Sequence, residues 1–310
     1  MIGKIITVIL VLVMLIFSLG LFYQNVPRAP VALKTSSIIP EPINLIEYGA
    51  VPVFSKNLRF NHNIISYFIE DECAGPRREA MVSAFSLFAK EMKIISFYKV
   101  DANADIEVGC SDDYISLGEN LFAAGEGGPS RIINTSNFKT IENGKISLYD
   151  DPRCDYPIVE VHELGHVFGF DHSPDPNNIM YNTSGCDQRI SEDMIKLIRD
   201  LYSIEPLADA LISNVESVKR GKYLDFNITI LNEGLIAIDD IDLTIVVDGE
   251  DIQVIELGEI GIGYGRTMRA TSVKLPSLNI DVIDFIVDKE DVVRELNEDN
   301  NAVQMIIESQ

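Results

Sequence analysis

Three of the chain's four histidines fall in one stretch, VEVHELGHVFGFDH, from Val159 to His172. His162 and His166 stand at i and i+4, so on a helix both imidazoles leave one face about a turn apart. That separation suits two ligands of one zinc ion, with Zn–N distances of about 2.0–2.1 Å. Gly169 follows three positions after His166; a glycine takes φ > 0 without a steric penalty and can end the helix. The chain can then turn and bring His172 in from a second direction. Three nitrogen ligands leave a fourth position open, which distinguishes a catalytic zinc from a structural one. Glu163, beside the first ligand, puts a carboxylate within reach of a water whose pKa the ion lowers to about 7. The pattern predicts one catalytic zinc held by His162, His166 and His172, with Glu163 as general base. The fourth histidine, His62, reads as a surface or packing residue.

A ligand helix needs a scaffold, and the region from Val51 supplies one of mixed α/β character. LRFNHNIISYFI reads as a strand with an interruption. Gly75-Pro76 opens a helix that places Met81, Phe85, Phe88 and Met92 on one side. IISFYKV and ADIEVGC read as strands, and GKISLYD as a short one. The glycine-rich FAAGEGGPSRIINTS between them contains Pro129, which suits an edge strand or a loop. ISEDMIKLIRDLYSIEP reads as a last helix, with Ser191 as N-cap and Pro206 as stop. After Pro206 the pattern changes to alternating strands, YLDFNITI and IDLTIVV, separated by turn signals such as NEG and DGED. The predicted organisation is an N-terminal leader at 1–25, a linker at 26–50, a catalytic domain at 51–205 and an all-β sandwich at 206–310.

The leader is apolar nearly without a break from Ile5 to Phe22. As a helix it reaches about 27 Å, close to a bilayer core of about 30 Å. The leading expectation is a single-pass anchor that leaves Lys4 inside and displays the rest outside the cell. A signal peptide cut near Ser18 and Gly20, giving a secreted protein, is the other reading. Cys73, Cys110, Cys154 and Cys186 form an even set, which outside the cytoplasm reads as disulfides. Four cysteines allow three pairings; Cys154–Cys186 with Cys73–Cys110 is the expected one, with the other two open. The proline-rich stretch from Pro27 to Pro42 reads as a tether. A net charge of −23, from 48 acidic and 25 basic residues, excludes a nucleic-acid partner. It reads first as a self-repelling surface. Asp112-Asp113 and Asp150-Asp151 are candidate calcium ligands.

HExxHxxGxxH followed by a methionine, here Met180 within DHSPDPNNIMYNTSG, resembles the metzincin signature. Ser173 after the third histidine and the IMY triplet resemble the matrixin branch, the group of matrix metalloproteinases. PVFSKNLRF, ISFYKV, ADIEVG and LIRDLY fall in that branch's order, so the resemblance covers roughly 51–204. It implies an α+β metzincin catalytic domain with a mixed sheet and three helices. It also implies a polypeptide substrate lying along the edge strand near Gly125 to Ile133, and Met180 as an apolar floor under the metal. The second, structural zinc of matrix metalloproteinases is not expected, since only His62 is to spare. Asn182 stands where that family has proline. DPRCDYP resembles the family's cysteine switch, but Cys154 lies just upstream of the ligand helix and is expected to pair, not to latch. FNITILNEG and VDKEDVVRELNEDNNAV resemble a CARDB domain, an immunoglobulin-like module.

The leading function is a membrane-displayed zinc endopeptidase. A second reading is an inactive zinc-binding adhesion protein that uses the sandwich for binding; the retained Glu163 argues against it. A third, a zinc hydrolase for small molecules, fits the long glycine-rich edge less well than a peptide substrate does.

Overall fold

The computed structural model describes residues 2–25, 30–35, 46, 51–113, 115–118 and 121–307. Helix α1 (Ile2–Asn25) comes first, followed by the short strands β1 (Val31–Ala32) and β2 (Lys34–Thr35). Two compact units then account for the chain. One comprises Glu41–Ala208 with Glu233–Ile236; the other comprises Met1–Pro40, Asp209–Asn232 and Ala237–Gln310.

The first unit begins with β3 (Leu58–Phe60), β4 (Ile64–Ile69), α2 (Gly75–Met92), β5 (Ser96–Lys99) and β6 (Ile106–Cys110). A small hairpin, β7 (Ser116–Gly118) with β8 (Leu121–Phe122), leads to β9 (Gly125–Asn134) and β10 (Lys139–Leu148). The helices α3 (Ile158–Val167) and α4 (Glu192–Ser203) complete it. The sheet order is β3-β10-β6-β4-β5, all parallel, with β9 antiparallel on β10. LRFNHNIISYFI therefore splits into two strands with different neighbours, β10 for its first part and β6 for its second. GKISLYD is only the second half of β10; its first half is held between β3 and β9. Pro129 lies in β9, whose one strand partner is β10, so its missing N–H costs no inner ladder bond.

Helix α2 buries Met81, Phe85, Phe88 and Met92 along one stripe. Phe85 stacks on Tyr67 at 4.2 Å between centroids, and Phe88 stacks at 4.9 Å on Phe168, the residue that closes α3. Each ring buried this way contributes about 1.5–3 kcal/mol. Arg59 is 1% exposed, and its guanidinium donates to Leu201 O and Ile204 O at the end of α4. A cation there completes the helix's last carbonyls and complements its dipole. At the other end Ser191 Oγ accepts the Met194 N–H.

The second unit is a sandwich built from β11 (Ala210–Arg220), β12 (Tyr223–Asn232), β13 (Asp242–Val247), β14 (Glu250–Glu256), β15 (Gly265–Lys274), β16 (Val282–Val287) and β17 (Ala302–Ile306). Its sheets are β1-β11-β12-β15 and β14-β13-β16-β17-β2. In β12 the alternation is strict: Leu224, Phe226, Ile228 and Ile230 are buried, and Phe226 meets Phe285 of the facing sheet at 5.1 Å.

The linker expected at 26–50 is corrected in part. Much of it lies outside the described residues, but residues 31–35 belong to the sandwich. Val31 and Ala32 pair with Lys219 and Val218 on one sheet, and Lys34 and Thr35 with Ile306 and Met305 on the other. Leu33 between them is buried, and its N–H bonds to Ser217 O at 3.1 Å. This strap covers an edge of each sheet, where unpaired backbone would otherwise be open to another chain. Among the described residues no helix is long and apolar enough to cross a membrane. The expectation of a spanning segment therefore rests on the sequence.

The sandwich also holds a buried acid. Glu295 is 5% exposed; its Oε2 accepts the Ala210 N–H, and its Oε1 has no partner among the described residues. Burial first, then the carboxylates of Glu298, Asp209 and Asp288, push its pKa up from 4.5 to about 8, against the Ala210 bond that lowers it. The folded sandwich thus keeps a proton that the unfolded chain releases above about pH 4.5. This contribution is complete below that pH and is lost as pH rises through about 8. Hydrogen exchange of β11 and β12 in the full chain should quicken across that window, beyond the intrinsic pH effect, and Glu295→Gln should flatten the trend. An unchanged slope in the variant would rule Glu295 out as the cause.

Candidate metal centre and cleft

Helix α3 starts after Pro157 and ends in a Schellman turn. Gly169 N–H bonds to His166 O at 3.0 Å and Phe170 N–H to Gly165 O at 3.2 Å. The turn requires φ > 0 at its hinge, and Gly169 has φ of 92°. The same turn aims Phe170 O at the ligand helix, where it accepts from His166 Nδ1 at 2.7 Å. Ile179 O accepts from His162 Nδ1, also at 2.7 Å. With Nδ1 protonated in both rings, both Nε2 atoms are bare acceptors, and they face each other at 3.0 Å. Two lone pairs at that distance repel unless a cation lies against them. His172 closes the group: the three rings can each offer a nitrogen within 4.8 Å of the others. The donor set, three imidazoles of which His162 and His166 are fixed by outer hydrogen bonds, fits zinc. It is the one such group among the described residues.

The electrostatics favour the same ligand state. Burial, then the neighbouring His166 and His172, lowers the His162 pKa to about 4, opposed by the Ile179 bond. Burial also lowers that of His166. Both rings are therefore neutral at physiological pH, as a metal ligand must be. Glu163 is 6% exposed. Burial, then Glu126 and Glu160, raises its pKa to about 8, with the Gly127 amide opposing. A dication at the histidines acts on Glu163 in the opposite direction.

Backbone contact positions this carboxylate. A Cβ on Gly127 would collide with the carbonyl of Glu163, and one on Gly125 with the Glu163 side chain. Two glycines thus let β9 run directly over α3. A Cβ on Gly165 would strike Met180 Sδ. Met180 is 2% exposed, and its place under the helix depends on that glycine. The return turn is fixed by the Ser173 N–H on Met180 O at 2.8 Å and the Met180 N–H on Asn178 Oδ1 at 2.8 Å.

A cleft opens over this group, and its lining includes Phe122–Ser130 and Tyr181–Ser184. Sequence reasoning missed several of its parts. Tyr149 donates its hydroxyl to Oε2 of the lining residue Glu126 at 2.9 Å, and Glu160 is also part of the lining. The carbonyls of Phe170 and Ile179 carry no side-chain signal. The candidate calcium pairs are engaged otherwise: Asp112 and Asp151 with Arg77, and Asp150 with Arg153. His62 lies away from the triad and bonds to Asp105 Oδ2 at 3.1 Å.

Residues 59–203 match the family Matrixin and residues 202–305 match CARDB. Stromelysin-2 of Rattus norvegicus is 28% identical over 188 residues, 56% of this chain and 39% of its own length. The chain thus spans well under half of that relative. A solved CARDB domain of the PF1109 protein from Pyrococcus furiosus, in complex with di-metal ions, is similar to 32% of this chain at 16% identity. That match covers 87% of the solved chain with a TM-score of 0.27.

Cys73 is bonded to Cys110, and Cys154 to Cys186 across 32 positions. The second bridge encloses the ligand helix, the Schellman turn and Met180 in one loop, and it leaves no thiol on Cys154 to reach a metal. Closing such a loop contributes roughly 3–4 kcal/mol by chain entropy. Cys154→Ser should lower the melting temperature of the zinc-loaded protein without raising peptidase activity. A variant of normal stability and increased activity would reveal a latch instead.

Proposed function

We propose that the matrixin domain, residues 59–203, works as a zinc-dependent endopeptidase on the outer side of a membrane. The observation that carries the reading is the pair of Nε2 acceptors held 3.0 Å apart, with His172 beside them, under an open cleft. His162, His166 and His172 would hold the ion, which when bound polarises the scissile carbonyl and activates a water for attack. Glu163 accepts the proton from that water and delivers it to the departing amine. Its burial keeps competing solvent from the carboxylate, and the Gly127 amide keeps it aimed. Strand β9 offers its outer edge to an extended peptide, which binds by adding a strand. Met180 gives the site an apolar floor.

Display at the membrane is supported by α1. Its sequence is mostly apolar between Ile5 and Phe22, and every side chain described in it, Ile6 and Ile9–Leu21, is exposed. Two disulfides agree with an oxidising compartment.

Purified protein should carry one zinc per chain and cleave unfolded polypeptide. Glu163→Ala should keep the zinc and lose about 10²–10⁴-fold in turnover. Full cleavage by that variant would sink the assigned role. In expressing cells the intact chain should sediment with membranes and resist alkaline carbonate, while a chain lacking 1–25 should be soluble. Recovery of the intact chain in the soluble fraction would remove the anchor from the proposal.

A further inference from the structure

Glu160 occupies the third position of α3, two residues before His162. A glutamate there ordinarily reaches back to accept the N-cap amide. The N-cap of α3 is Pro157, which has no N–H to give. One carboxylate oxygen of Glu160 instead takes the amide of its own residue. The other, Oε2, is buried with no partner among the described residues. Glu160 is 1% exposed, yet it lines the cleft together with Tyr181 and Asn182. Helix capping therefore does not account for it, and an uncompensated acceptor at that depth is unfavourable.

The cleft around it is acidic. Its lining carries Glu126, Asp150, Asp151, Glu160 and Glu163 against Lys145 and Arg153. Much of this charge is already engaged. Arg153 is paired with Asp150, and Arg77 with Asp151; Glu126 accepts from Tyr149; Glu163 serves the proposed chemistry. Glu160 remains as a lining carboxylate with one buried oxygen that has no partner among the described residues. An apolar side chain entering there would leave Oε2 unsatisfied, whereas an ammonium or guanidinium would satisfy it with a charge-assisted hydrogen bond.

We propose that Glu160 is a specificity-determining residue that receives a lysine or arginine side chain of the substrate in the cleft beside the metal centre. This rests on the endopeptidase reading above, and it narrows the substrate class to peptides with a basic residue near the scissile bond.

The test uses matched peptides that carry Lys, Arg, norleucine or Glu at one site, scanned across both sides of the cleaved bond. At one site Lys and Arg should exceed norleucine in kcat/KM by about 10- to 100-fold, the worth of a charge-assisted hydrogen bond. In Glu160→Gln that ratio should fall close to one, whereas Glu126→Gln should retain it. Agmatine, a small guanidinium, should compete with the Lys peptide in the wild type and lose this effect in Glu160→Gln. Equal rates for Lys and norleucine at every site overturn the proposal, and so does a preference that survives Glu160→Gln. The wild-type scan stands even if the variant does not fold. A wild type that hydrolyses none of the peptides refutes the endopeptidase reading instead, which keeps the two failures apart.

Discussion

Two backbone carbonyls govern the chemistry of this chain. Phe170 O and Ile179 O each take an imidazole proton and so fix the tautomers of His166 and His162. The consequence is two bare nitrogens pressed together at 3.0 Å, an arrangement that a cation relieves and that water relieves less well. Everything that brings those carbonyls into place is part of the site: the glycine turn at 169, the return through Asn178 and Met180, and the bridge from Cys154 to Cys186. The aromatic stack of Phe88 on Phe168 anchors the end of the same helix in the core.

The second constraint is closeness of backbones. Gly125 and Gly127 let an edge strand lie on the ligand helix, and Gly165 lets a methionine lie beneath it. Close approach shields Glu163 on one side while the opposite side faces the cleft, and this produces a buried carboxylate beside open solvent. A larger residue at any of these positions would separate layers that the carboxylate needs together. The glycine content of β9 is therefore a packing requirement of the helix more than a flexibility of the strand.

Much of this was legible in the residues because it is local. The i, i+4 histidines, Gly169, the α2 stripe of Met81, Phe85, Phe88 and Met92, and the alternation in β12 all depend on spacings of a few residues. What was hidden depends on partners far along the chain. The split of β3 from β4 follows from which neighbour each finds, β10 or β6. The length of β10 follows from β3 and β9. Residues 31–35, read as tether, are too short to show a period; two sheet edges distant in sequence make them strands. Of the candidate calcium ligands, Asp112 and Asp151 meet Arg77, which lies far away in sequence, and Asp150 meets Arg153 three positions on. The isolation of Glu160 follows from the absence of a donor on Pro157, a fact present in the sequence but informative only once the helix start is known.

The strap at residues 31–35 bears on how the chain carries mechanical load. It precedes the matrixin domain in sequence and yet is hydrogen-bonded into β11 and β17 of the fold that follows that domain. Tension applied through the N-terminal helix meets the sandwich first, at Val31 and Ala32, then at Lys34 and Thr35. The pull is transmitted to two sheets through Leu33, which is buried where the strap crosses from one to the other. The segment that matches Matrixin is thus inserted in sequence between two parts of the sandwich unit. A tug on the tether loads an all-β fold before it reaches the turns that hold the histidines.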